Sequence, residues 1–120
     1  MNLSSPVQIA DEITDFVIKE SYYPSFKRDD VHAELLKHIV YGTIILSREA
    51  GEITGLVRWN WIGHNTVDVL DALVQEDKRG VQTLKHFLRR AVAIYPQIKW
   101  FIYNKRKSNA RRGFAVKEWI

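Results

Sequence analysis

The sequence predicts an α/β domain built on a central mixed, mostly antiparallel sheet with helices on both faces. Three observations carry that expectation. Residues 66–74 (Thr-Val-Asp-Val-Leu-Asp-Ala-Leu-Val) are rich in β-branched side chains and place apolar groups on both faces of an alternating pattern, as a strand covered on both sides does. The period then switches: Val81, Leu84, Phe87, Leu88, Ala91, Val92 and Tyr95 form one helical stripe, with Lys85, His86, Arg89 and Arg90 away from it. After Pro96 the chain returns to strand character at 98–103, and its connection through a helix makes that strand a parallel neighbour of residues 66–74. Alternation puts Val67, Val69, Asp71 and Leu73 on one face of the central strand and Asp68, Leu70, Ala72 and Val74 on the other.

The chain of 120 residues forms one domain, residues 1–120, with 46% apolar and 12% aromatic residues, the balance of a folded globule. It has no cysteine, which excludes disulfides, thiolate zinc sites and a cysteine nucleophile. The four histidines lack metal-ligand spacing, so no metal is expected. No apolar run approaches the roughly 18–20 residues that span a bilayer, and no signal-peptide pattern opens the chain; the expectation is a soluble, cytoplasmic protein without a membrane partner. Net charge is +4, unevenly divided. Residues 1–60 hold six Lys/Arg against nine Asp/Glu, whereas residues 61–120 hold twelve against five, which suits an anionic ligand on the second half.

Ser5 and Gln8 have capping-box spacing, Pro6 fits the first helical position, and Val7, Ala10, Ile13, Phe16 and Val17 make the stripe of the first helix. An aromatic connector, 22–26, follows; its rings either pack under a loop or wall a substrate site. The second helix is expected to start at Asp29 or Asp30 as cap, to bury Val31, Leu35 and Ile39, and to stop at Gly42. Strands at 43–49 and 52–61 are joined at Ala50-Gly51, and Gly63-His64-Asn65 turns into the central strand. In the second of these strands Ile53, Gly55, Val57, Trp59 and Trp61 share a face. The core of the central strand, its helix and the next strand is expected to gather Val67, Val69, Leu73, Leu84, Leu88, Val92, Ile98, Trp100 and Ile102. A closing strand is expected at 113–119.

Between the central strand and its helix lies Gln75-Glu76-Asp77-Lys78-Arg79-Gly80. A strand, a short glycine-containing loop and a helix start aim free N–H groups at one point, which attracts phosphate. This run resembles the acetyl-CoA signature of the GNAT N-acetyltransferases, with Arg79-Gly80 matching its first two residues and Gln82 and Leu84 standing where further small residues occur. The element order, Asn104 after the fifth strand and Gly113-Phe114 also resemble that family, so the resemblance spans roughly residues 5–119. It implies a GNAT-like fold and a CoA-dependent N-acyltransferase that moves acetyl from acetyl-CoA to an amine, or a degenerate relative.

On that resemblance, the thioester lies along two splayed parallel strands, held by the main chain of Ala72, Leu73 and Val74. The pyrophosphate is wrapped by Lys78, Arg79, Gly80, Val81, Gln82, Thr83 and Leu84, with Asn104 near the cofactor. The proton acceptor is Asp71 or Asp68, carboxylates within an apolar strand. The bland alternative for either is a pairing with Arg58 or His64 across the sheet. Tyr103 is the candidate donor to the leaving thiolate.

A competing use of the surface comes from Lys105, Arg106, Lys107, Arg111 and Arg112, interleaved with aromatics. That composition fits a non-catalytic GNAT-like binding protein docking nucleic acid or an acidic protein, a solvated loop, or neutralisation of the CoA 3′-phosphate.

Overall fold

The computed structural model describes residues 5–20, 22–75, 77, 81–104 and 111–119; the side chains at 81, 82, 104, 111, 112, 114 and 119 lie outside that description. Two helices, α1 (Pro6–Lys19) and α2 (Arg28–Tyr41), precede three strands, β1 (Ile44–Glu49), β2 (Glu52–Ile62) and β3 (Thr66–Val74). Then come α3 (Val81–Ile94), β4 (Trp100–Asn104), β5 (Arg111–Ala115) and a terminal turn of helix, α4 (Val116–Trp119). Among the described residues the sheet has the order β1-β2-β3-β4-β5. Only the β3–β4 pair is parallel; its neighbours are antiparallel. The predicted mixed sheet is therefore the observed one, and the crossover through α3 accounts for its single parallel pair.

Local chemistry sets the boundaries. Ser5 caps α1 by accepting from the Gln8 N–H at 3.2 Å, while the Gln8 side chain accepts from the Ser5 N–H at 2.8 Å. The N-cap of α2 is Lys27, so Asp29 and Asp30 lie in its first turn, where they favour the helix dipole instead of capping it. Gly42 ends α2 at φ 70°, and its C=O accepts from the Tyr95 hydroxyl at 2.9 Å, tying α2 to the end of α3. The expected strand at 113–119 is corrected: pairing runs through 111–115, and Val116 to Trp119 turn helical.

Two β-bulges decide which residue faces which layer. Ser47 opposes Gly55 and Arg48 opposes Ile53, so Thr54 is an inserted residue in β2. Likewise Arg58 opposes Asp71 and Trp59 opposes Val69, which makes Leu70 the inserted residue in β3. Each insertion moves the residues beyond it to the other face. Val57, Trp59, Val67 and Val74 pack with Phe87, Leu88, Ala91, Ile98 and Phe101 under α3. Ile53, Leu56 and Leu73 instead pack with Ile13, Phe16, Val17, Val31 and Leu35 under α1 and α2. Strict alternation had put Ile53 and Leu73 on the α3 side. In β4 the buried residue is Phe101, registered with Val67, and Trp100 is half exposed; the expected inward parity of 98, 100 and 102 fails because Ile98 precedes the strand.

Gly55 has a packing role. A Cβ there would sit 2.7 Å from Val74 Cγ1 and 3.2 Å from Phe87 Cζ, so the bare glycine lets α3 seat Phe87 on the sheet.

Candidate functional site

The parallel ladder between β3 and β4 runs only from Thr66–Trp100 to Val69–Tyr103. It stops at the Leu70 bulge. Beyond it, residues 71–74 of β3 remain paired to β2, and among the described residues no strand pairs with their other edge, beside the end of β4. The main chain there has a defined direction. The Gln75 N–H donates to the Thr54 C=O at 3.0 Å, so alternate residues Leu73 and Gln75 turn toward β2 while Ala72 and Val74 turn to that other edge. The Tyr22 hydroxyl reaches that edge from the connector. It donates to the Val74 C=O at 2.7 Å and lies 3.3 Å from the Val74 N–H.

Helix α3 starts just beyond β3, and the first-turn N–H groups of a helix have no intrahelical partner. Val81 and Gln82 belong to this turn by their backbone. Leu84 is partly buried and packs its side chain against the α3-side core. Thr83 lines a cavity of about 440 Å³ together with Val74, His86 and Phe87. Lys78, Arg79 and Gly80 lie outside the described residues, as do Lys105, Arg106 and Lys107; Asn104, Arg111 and Arg112 are described by backbone alone.

A second cavity, of about 310 Å³, opens on the α1–α2 side between the connector, α2 and β2, lined by Tyr23, Phe26, Asp30, Val31, Glu34, Leu35 and Arg58. A chain of polar contacts runs behind it. Asp71, opposite Arg58 in the β2–β3 register, accepts from Arg58 Nε at 2.8 Å, from Arg58 Nη2 and from the Tyr23 hydroxyl. All these contacts fall on Oδ2, and among the described residues Oδ1 has no hydrogen-bond partner. Arg58 Nη1 donates to Glu34 at 2.9 Å, and Glu34 also meets Lys37 Nζ at 3.0 Å. His38 Nε2 lies 3.5 Å from Glu34, while His38 Nδ1 and Thr43 Oγ1 are 2.6 Å apart.

The electrostatics follow from burial. The Tyr23 hydroxyl is pushed well above its ordinary range, first by burial and then by its bond to Asp71, so it stays a donor. Burial, and then the Arg58 guanidinium, hold the His38 imidazole below its ordinary value. Burial works against the charge of Arg58, but Asp71 overcomes it and raises the guanidinium. Tyr23 adopts φ 57°, a left-handed conformation unfavourable for a side chain of this size, and its hydroxyl bond to Asp71 helps hold it there.

The predicted candidates fall on two faces. Asp68 and Asp71, opposite by strict alternation, are brought to the same α1–α2 face by the Leu70 bulge. Tyr103 is registered with Val69 at the end of the parallel ladder, on the α3 face by alternation from Phe101. Asp71 makes the cross-strand pair with Arg58. Glu34 and His38 were not singled out by the sequence; their i,i+4 spacing just before Gly42-Thr43 was the available signal. In the aromatic connector Tyr22 bonds to the β3 edge, and Tyr23 and Phe26 line the second cavity.

Among solved structures the fold matches acetyltransferases. A Pyrococcus horikoshii protein assigned to the acetyltransferases superposes with TM-score 0.66 at 12% identity, over 88% of this chain and 38% of that one. An acetyltransferase from Salmonella typhimurium that modifies an N-terminal serine of a ribosomal protein gives 0.65 at 14% identity, over 86% and 69%. PaiA N-acetyltransferase from Thermoplasma acidophilum, solved in complex with coenzyme A, gives 0.63 at 15%, over 92% and 80%. The chain thus spans from 38% to 80% of the length of these three neighbours. The likeness is one of fold: this chain has the GNAT fold, shared with a GNAT-family protein from Desulfovibrio desulfuricans at TM-score 0.58. No protein-family model and no curated protein matches the sequence.

Proposed function

We propose that this chain is a CoA-dependent N-acyltransferase that moves an acetyl group from acetyl-CoA to an amine. The observation that carries the reading is the end of the parallel ladder at Leu70, where β3 turns the main chain of Ala72 and Val74 away from β2 just before α3 begins. A pantetheine arm needs such a row of peptide groups, and a pyrophosphate is favoured at a helix start. The coenzyme A complex of the Thermoplasma neighbour supports the same ligand. In this reading acetyl-CoA lies along 72–74, with its phosphates toward 78–84 and Asn104.

The amine nitrogen attacks the thioester carbonyl, forming a C–N bond and an oxyanion. In this reading the donor to that oxyanion is the Ala72 main-chain N–H, which turns away from β2. Collapse breaks the C–S bond and expels the thiolate. The amine proton goes to Asp71 through its Oδ1, or to Asp68 on the same face, directly or through water. Tyr103, at the end of the parallel ladder, returns a proton to the thiolate.

Titration calorimetry with acetyl-CoA and with CoA tests the reading: binding at micromolar to millimolar concentration is expected, and no heat at millimolar ligand would overturn it. Gly80→Val is expected to abolish binding, since a β-branched side chain would block close approach of the backbone to phosphate.

A further inference from the structure

We infer that the cavity beneath Tyr23 and Phe26 receives a singly charged primary ammonium carried on a flat apolar body. That this ligand is the acyl acceptor rests on the proposed function; that the cavity binds it does not.

Size comes first. At about 310 Å³ the cavity is at the lower end of the roughly 300–1,000 Å³ typical of small-molecule sites, enough for one ring and a short arm. Its walls come next. Tyr23 and Phe26 meet edge to face with centroids 5.9 Å apart, and Val31 and Leu35 are buried behind them. Phe26 is nevertheless 66% exposed, an aromatic ring held at the mouth with little protein over it. An amino sugar of the same volume would leave its hydroxyls against these four side chains without hydrogen-bond partners.

Charge then selects the sign of the ligand. Arg58 is the cation of the lining, but Nε and Nη2 serve Asp71 and Nη1 serves Glu34, so an anion would have to displace a carboxylate to reach it. Glu34 is in turn shared with Lys37. Asp30 is different: among the described residues its carboxylate has no ion-pair partner, and it stands in the lining at the start of α2. One uncompensated carboxylate beside two aromatic rings suits one ammonium, by Coulomb attraction and by cation–π contact. The acidic surplus of residues 1–60 adds long-range attraction of the same sign.

The test is calorimetry on the whole chain in the absence of any CoA compound, with 2-phenylethylamine, phenylacetate, glucosamine and spermidine as probes. The expected order puts 2-phenylethylamine first, by roughly tenfold or more over phenylacetate, which has the same body and the opposite charge. Asp30→Asn and Phe26→Ala, both at exposed side chains, are each expected to weaken it by about fivefold, with circular dichroism unchanged. Phenylacetate binding as well as the amine would overturn the inference. So would equal binding of spermidine or glucosamine, or an amine affinity that both substitutions leave unmoved. A parallel titration with acetyl-CoA keeps the two readings apart. Amine binding without acetyl-CoA binding upholds the cavity and removes acyl transfer; acetyl-CoA binding without the expected amine order does the reverse.

Discussion

On the α3 side of the sheet, β2 and β3 present Val57, Trp59, Val67 and Val74 to Phe87, Leu88 and Ala91, and these side chains form a closed apolar layer. On the α1–α2 side the same two strands present Ile53, Leu56 and Leu73, but also Arg58 and Asp71, joined to Glu34, His38 and Tyr23. One face is packed for stability and the other is interrupted by charge at a cavity. Both result from the same two inserted residues, Thr54 and Leu70, since each changes which side chains a strand offers to which layer. A partly buried ionic network is a weak way to stabilise a fold, so its place beside a cavity points to ligand recognition.

The largest loss of stability is expected at Phe87. Its substitution by Ala is expected to cost about 3–5 kcal/mol by leaving a cavity against Gly55 and Val74, read as a lower urea midpoint with unchanged slope. Arg58→Ala should cost less, about 2–4 kcal/mol, by leaving Asp71 partly buried without its cation. The account then requires a rescue that a purely apolar layer would not show. Arg58→Met combined with Asp71→Leu should recover most of that stability in the same urea titration while weakening amine binding, because the Tyr23 hydroxyl loses the carboxylate that holds its ring at the cavity. Loss of stability in the double variant equal to the sum of the two single losses would count against a network kept for recognition.

How much of this was legible without coordinates divides along the same line. The Ser5–Gln8 cap, the stop at Gly42, the turn at Gly51 and the α3 stripe follow from local rules, and each is seen. The bulges do not follow from such rules, because a period-two pattern carries no mark of one inserted residue. Missing Leu70 put Leu73 on the wrong face and separated Asp68 from Asp71. Asp29 and Asp30 were plausible caps by residue type, yet the cap is Lys27, two or three residues earlier. The Glu34–Arg58–Asp71 chain depends on α2 lying over β2, a tertiary fact that spacing alone does not contain.

A smaller effect sharpens the same contrast through pH. His38 is buried with its folded-state pKa below the ordinary value of about 6.5. The unfolded chain therefore binds more protons than the folded one just below that value. The stability His38 contributes is present above about pH 6.5 and is lost as pH falls through its folded pKa. Melting temperatures should fall from pH 7 toward pH 5, and His38→Gln should flatten that interval. An unchanged slope in the variant would assign the effect to other groups. The losses expected from Glu12 and Glu34, whose pKa values are lowered chiefly by bonds to Arg48 and Lys37, belong to a separate and more acidic window.

The smallest expected effect on stability is at Tyr22. Tyr22→Phe removes one hydroxyl from the Val74 edge and should cost about 1 kcal/mol. If acetyl-CoA uses that edge, the hydroxyl competes with it, so calorimetry on the variant should show affinity unchanged or improved. A large loss of affinity would instead make the hydroxyl part of the binding site.

The most direct test of the central claim is the backbone amide spectrum of the isotopically labelled chain, titrated first with acetyl-CoA and then with 2-phenylethylamine. The account predicts that acetyl-CoA moves the amides of Ala72, Val74, Thr83 and Leu84, and that the amine moves those of Tyr23, Phe26, Val31 and Leu35. Acetyl-CoA shifts confined to the α2 side, or none at Ala72 and Val74 at saturating ligand, would contradict it.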